Sequence, residues 1–275
     1  MFIIFGSPRS GTTLLASALN QHEQIVVPQE TDFIIPLAFI RDRVKDEQLG
    51  RKLISELVVA TERFHVSLGN YLTAVEVKAA IDEAPYEVPS MVEAIYARVA
   101  KAVGRRIAGD KSPNDLVYAR MLMKNGFADS SIKVVHLVRD IRDVLLSLAE
   151  AQPQNADLLN RYFARSWSQA NLFLQDMYRD KSDRYHFLRY EDLVQDPVGE
   201  FSRLTAFLGV PLQEGMFDGA ARLRRHEGER QHQNLGGEIR AYSVGWRTAM
   251  SAELRDQTFV QAREALERFS YPQAP

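Results

Sequence analysis

The most constraining stretch of this chain is its start, where the apolar run Phe2-Ile-Ile-Phe5 passes without a break into Gly6-Ser-Pro-Arg-Ser-Gly-Thr-Thr13. Consecutive apolar residues bounded by glycine predict a short buried strand, and Leu14, Leu15, Ala18 and Leu19 recur at helical spacing over 12–21. A glycine loop between a strand and a helix suits a phosphate, because loop N–H groups and the helix N-terminus both favour an anion. The same spacing also suits an ordinary strand-turn-helix with a Ser or Thr cap. Alone, the loop leaves both readings open.

The remaining pattern predicts an α/β fold, a central parallel sheet flanked by helices. From Ile34 to about Ala102 the chain reads as amphipathic helix, with Leu53, Leu57, Val58 and Thr61 on one face. This stretch is expected to form a helical, substrate-facing cap over about 34–104. Residues 106–109 form a weak strand, after which Ser112, Pro113 and Asp115 suggest a capped helix start. The run 133–138 is the clearest buried strand, and a helix follows at once over 140–150 with Val144, Leu145 and Leu148 inward. A long helix over 157–179, a strand over 185–189, a helix from Asp196-Pro197 to Leu208 stopped by Gly209, and a last helix over 251–269 complete the order. The polar stretch 223–240 reads as a mobile loop. Neither a repeat nor a low-complexity linker interrupts the 275 residues, so a single domain is expected.

Composition narrows the chemistry. A formal charge of −2 argues against a broadly basic nucleic-acid surface, so any anion site must be local. With no cysteine, disulfides, thiolate zinc sites and cysteine nucleophiles are excluded. The six histidines show no metal spacing, and His136 and His186 fall within predicted strands. No signal-peptide pattern precedes the first strand and no apolar run approaches the ~20 residues of a membrane span, so a cytoplasmic protein without a transmembrane segment is expected. Arg222, Arg224, Arg225, His226 and Arg230 form a basic run that reads either as a solvated loop or as a clamp on an anionic ligand.

Two departures give the loop its character. Gly6 and Gly11 keep the frame of a nucleotide-binding loop, but Thr12 stands where a triphosphate-handling lysine belongs, and no metal-binding aspartate is evident. Arg9 instead brings a planar guanidinium, which forms paired charge-assisted hydrogen bonds with an oxyanion. Ser10, Gly11, Thr12 and Thr13 supply further donors.

In its combination of motifs the chain resembles sulfotransferases that use 3′-phosphoadenosine-5′-phosphosulfate (PAPS). The similarity rests on Pro8-Arg-Ser-Gly-Thr-Thr-Leu14, Leu19-Asn-Gln-His-Glu23, Gln29-Glu-Thr31, Gly109-Asp-Lys-Ser-Pro113, Val138-Arg-Asp140 with Ser147, and Tyr190-Glu-Asp-Leu193. It runs from the first strand to at least Pro197, with a weaker echo at Val244-Gly-Trp-Arg247. The motifs look most like those of the protein-tyrosine and carbohydrate branch.

The resemblance implies a three-layer architecture like that of P-loop NTPases, with PAPS as co-substrate, adenosine 3′,5′-bisphosphate (PAP) as product, and no metal. It implies Glu30 as the base for the acceptor hydroxyl, and Lys111, with Arg9 from the opposite side, over the leaving oxygen. Arg9, Ser10, Gly11, Thr12 and Thr13 would hold the 5′-phosphosulfate, Arg139 and Ser147 the 3′-phosphate, Tyr190 the base or ribose, and Arg247 again the 3′-phosphate. Protein-tyrosine sulfotransferases carry an arginine two residues after the glutamate, whereas this chain has Asp32, so tyrosine-peptide specificity does not carry over. Because some sulfotransferases use a histidine base, His22 stays in reserve. The acceptor could be a small molecule, a carbohydrate, a lipid-linked or polyketide hydroxyl, or a peptide. A P-loop kinase or NTPase and a non-catalytic nucleotide-binding protein remain the alternatives.

Overall fold

The computed structural model describes residues 1–224, 236–240 and 245–272. Five parallel strands, β1 (Phe2–Phe5), β2 (Ile25–Val26), β3 (Ile107–Lys111), β4 (Lys133–Val138) and β5 (Tyr185–Arg189), lie in the order β2-β3-β1-β4-β5. The glycine-loop strand is thus central, pairing Ile4 with Lys111 on one side and Phe5 with His136 on the other. Every residue of β1 is buried, and strand alternation sends Ile3 and Phe5 into one apolar layer and Phe2 and Ile4 into the other. Burying side chains of this size contributes about 1.5–3 kcal/mol each.

Helix α1 (Thr12–Leu19) follows the loop, burying Leu15 and Leu19 against Phe2 and Ile4. Helices α2 (Ile34–Arg43), α3 (Glu47–Ala60), α4 (Glu62–Val66), α5 (Ala74–Glu83) and α6 (Val88–Ala102) form the helical stretch between β2 and β3. One apolar cluster joins Ile34, Leu37, Ile54, Val77 and Ile95 of these helices to Ile3 and Phe5 of the sheet. On α3 the buried face is Gly50, Ile54, Ser55 and Val58, one step around from the expected one, with Leu53 and Leu57 at its margin.

Short α7 (Ala119–Lys124) precedes β4, and α8 (Ile141–Ala151) follows it, started by the Asp140 carboxylate accepting from Arg142 N at 3.0 Å. Then come α9 (Ala156–Met177), α10 (Tyr190–Gln195) and α11 (Pro197–Leu208). Asp196 caps α11 through Gly199 N at 3.0 Å, and Gly209 ends it at φ 78°, as the sequence predicts. Segments α12 (Gly219–Arg224), α13 (Trp246–Ala249) and α14 (Ala252–Arg268) close the chain, with Trp246, Ala262 and Phe269 packed on α8 and α9.

Two local expectations are corrected. Residues 113–118 form a 3-10 turn rather than an α-helix, and the Ser112 hydroxyl makes no cap bond to it, lying instead 3.5 Å from Asp110 Oδ1. Arg222, assigned to a basic loop, is fully buried, donating to the carbonyls of Met216 at 3.2 Å and Gly237 at 2.6 Å. A guanidinium meets several carbonyls at once, so here it ties chain segments together. Arg225, His226 and Arg230 lie outside the described residues.

Candidate active site

An open parallel sheet concentrates ligand-binding groups at the carboxyl ends of its strands. Here β1 ends in the glycine loop, β3 in Lys111, β4 in front of Arg139 and β5 in front of Tyr190. Parallel pairing aligns these ends, so residues more than a hundred positions apart meet at one edge.

The loop turns on left-handed backbone at Arg9 (φ 68°) and Gly11 (φ 96°). Any side chain at Gly11 would be strained, and its Cβ would lie 2.6 Å from the Tyr190 ring. The Ser7 and Ser10 hydroxyls bond each other at 2.5 Å inside the loop, and Thr12 is buried. Helix α1 begins at Gly11 with no side-chain cap and no acidic residue in its first turn. Its N-terminal N–H groups therefore suit an anion.

The expected site residues assemble into two groups. In the first, Arg9 Nε donates to Ser147 Oγ at 2.9 Å, and Arg139 Nη1 donates to the Arg9 carbonyl at 2.9 Å. The Arg139 guanidinium also stacks 4.5 Å above the Tyr190 ring. Burial and then the charge of Arg139 lower the pKa of Arg9. Arg9, expected at the 5′-phosphosulfate, thus lies against Ser147, expected at the 3′-phosphate. A phosphorylated nucleotide fits this cradle: two guanidinium groups, the Ser147 hydroxyl, a glycine turn and an uncapped helix start.

In the second group, Lys111, almost fully buried, places Nζ 2.8 Å from Glu30 Oε1 and 3.5 Å from Thr13 Oγ1. A cleft of about 240 Å³ opens beside them, lined in part by Thr13, Asn20, Gln29, Asn70, Tyr71 and Lys111. Asn20 shapes this edge: it donates to the Val27 carbonyl at 2.6 Å and accepts from Val27 N at 2.7 Å, holding the chain that leads to Glu30.

Arg63 of α4 was missed by sequence reasoning. Its guanidinium lies 3.5 Å from Glu30 Oε2 and 3.1 Å from Asp32 Oδ2. Asp32 adopts φ 49° and its pKa is raised by burial, partly opposed by Arg63. A cation within a polar helical turn carries no sequence signal for such a contact.

Two further residues stand apart. His22 is buried, with Nε2 2.8 Å from the Pro211 carbonyl and Nδ1 accepting from Gln24 N at 3.0 Å. Both ring nitrogens are occupied, the bonds place the proton on Nε2, and the reserve role for this histidine is withdrawn. Arg247 is exposed and stacks on Trp246 at 4.6 Å, while Trp246 N donates to Asp143 on α8 at 2.8 Å. This brings the segment to the helix that carries Ser147.

The sheet order, with the glycine loop between the central strand and a helix start, defines an α/β protein of P-loop-like build. Residues 2–214 match the sulfotransferase family model, and the chain belongs to that family. It is 26% identical over 161 residues to carbohydrate sulfotransferase 1 of Danio rerio, a match covering 51% of this chain and 38% of that protein's length. The sulfotransferase domain of the Synechococcus PCC 7002 olefin synthase is 25% identical with a TM-score of 0.63, over 100% of this chain and 95% of that one. Mouse sulfotransferase SULT7A1 complexed with PAP shares the fold at 13% identity and a TM-score of 0.52, over 98% of this chain and 87% of that one. Among the described residues no helix is long and apolar enough to cross a membrane.

Proposed function

We propose that the chain transfers the sulfuryl group of PAPS to an acceptor hydroxyl, releasing PAP. The observation that carries this reading is the meeting of Glu30 and Lys111 at 2.8 Å beside Thr13, at the edge of an open cleft. A carboxylate and an ammonium so placed supply the two charges the reaction needs: one takes the acceptor proton, the other offsets charge on the departing oxygen.

PAPS, when bound, supplies an activated sulfuryl group on a good leaving phosphate. The glycine loop with Arg9 and the start of α1 hold its 5′ end, and Arg139 and Ser147, the latter bonded to Arg9, hold its 3′-phosphate. Tyr190, against Gly11 and Arg139, adjoins the base or ribose, and Trp246 anchors the neighbouring segment beside the helix that carries Ser147. Glu30 receives the acceptor proton while Arg63 keeps its other oxygen in place. The PAP-bound mouse relative supports this choice of nucleotide. The cleft beside Lys111, edged by Gln29, Asn70 and Tyr71, receives the hydroxyl acceptor.

Thermal-shift titration tests the reading. PAP is expected to raise the melting temperature as RT ln(1 + [L]/Kd) requires, and ATP with Mg²⁺ is expected not to. Stabilisation by ATP alone would return the chain to the kinase or NTPase alternative. Screening acceptor classes with radiolabelled PAPS then identifies the acceptor.

A further inference from the structure

Glu30-Thr31 and Asp110-Lys111 are adjacent-residue pairs that run past each other, one in the segment after β2 and one at the end of β3. Their cleft-side members meet as the Glu30–Lys111 pair. Their inward members meet too: Thr31 Oγ1 donates to Asp110 Oδ1 at 2.8 Å, both residues being buried. Tyr96, fully buried on α6, donates its hydroxyl to the same carboxylate oxygen and lies 3.2 Å from Thr31 Oγ1. Ser112 Oγ approaches that oxygen to 3.5 Å and accepts from Asp32 N at 3.4 Å.

One buried carboxylate oxygen thus gathers hydroxyls from the Glu30 segment, from the helices over the sheet and from the strand end. Taking a carboxylate out of water is costly, and the hydroxyl donors offset that cost only when all are in place. The arrangement is therefore stiff, and stiffness here is transmitted through single peptide units to Glu30 and Lys111. Burial and then the Asp110 charge raise the pKa of Tyr96, so its hydroxyl remains a donor.

We propose that Thr31, Asp110 and Tyr96 are positioning residues, a buried hydrogen-bonded rung that fixes the Glu30 carboxylate against the Lys111 ammonium. The proposal rests on the sulfuryl-transfer reading for its kinetic consequence and on geometry alone for its structural one.

The test uses the full chain with PAP as the binding probe and radiolabelled PAPS for turnover. Thr31→Val, which keeps shape and removes the hydroxyl, is expected to lower kcat by about 10²-fold with PAP affinity retained or strengthened, as small misplacements at a reacting centre do. Thr31→Ser restores the hydroxyl and is expected to recover turnover. Wild-type kcat in Thr31→Val, or equal losses in the Ser and Val variants, would overturn the proposal. A ligand-free crystal structure of Thr31→Val gives an independent reading: Glu30 is expected to part from Lys111, and an unchanged pair sinks the idea. Should the Val variant not fold, Tyr96→Phe takes its place with the same readouts and a smaller expected loss. If the wild type neither binds PAP nor consumes PAPS, the sulfuryl-transfer reading fails, and the crystal structure still decides the positioning claim.

Discussion

Lys111 Nζ lies 2.8 Å from Glu30 Oε1, so the candidate acid–base group and the candidate leaving-group cation are paired with each other. Arg63 holds the other Glu30 oxygen at 3.5 Å. Two cations therefore share one carboxylate, and on the proposed reading an anionic donor arriving at Thr13 would compete with Glu30 for Lys111.

Glu30→Gln removes the negative charge while keeping size. Turnover is expected to fall by about 10²-fold or more. PAP binding is expected to be retained or strengthened, because Lys111 loses its internal partner. Calorimetry with PAP and a turnover assay on the same preparation check both halves, and wild-type turnover would remove Glu30 from its role.

Ser147→Ala deletes the hydroxyl that Arg9 Nε contacts at 2.9 Å, and Arg139→Ala deletes the cation above Tyr190. Hydrogen bonds to charged groups contribute about 1.5–3 kcal/mol, so each change is expected to weaken PAP binding by about 10- to 100-fold. The Arg139 variant should also show a shallower salt dependence of affinity. Isothermal calorimetry at two ionic strengths measures this.

Gly11→Ala places a Cβ at φ 96° and 2.6 Å from the Tyr190 ring. Backbone strain of about 1–3 kcal/mol is expected, seen as a melting temperature lower by several degrees and as a loss of the PAP-induced shift. An undiminished PAP shift would show that the loop tolerates a displaced Tyr190.

His136 is buried in β4, with Nδ1 2.6 Å from Tyr185 Oη and Nε2 2.7 Å from Asn171 Oδ1. Burial lowers its pKa from 6.5 to about 4. Between these values the unfolded chain binds more protons than the folded one, so the histidine's contribution is complete above pH 6.5 and is lost as pH falls towards 4. At 1.4 kcal/mol per pH unit the loss amounts to roughly 3 kcal/mol. Urea denaturation across this range should show a steeper acid-side decline in the wild type than in His136→Gln, and parallel curves would contradict the assignment.

The elements that frame the site were legible where local chemistry is self-sufficient. Strand β1 is an uninterrupted apolar run and β4 nearly so, and α11 carries its own start in Asp196 and its stop in Gly209. The glycine loop, Lys111, Arg139 and Tyr190 follow or end neighbouring strands, and a parallel sheet brings those ends to one edge.

The βα framework, its glycine loop and the family of their motifs are readable from the chain alone, because burial patterns, caps and turns act over a few residues. How the polar groups pair depends on the packed fold: Arg9 on Ser147, Arg63 on Glu30 and Asp32, Arg222 buried against two carbonyls, His22 bonded to the Pro211 carbonyl. A long polar side chain reaches many places, and its partner is chosen by whichever distant group the packed fold leaves within hydrogen-bonding range.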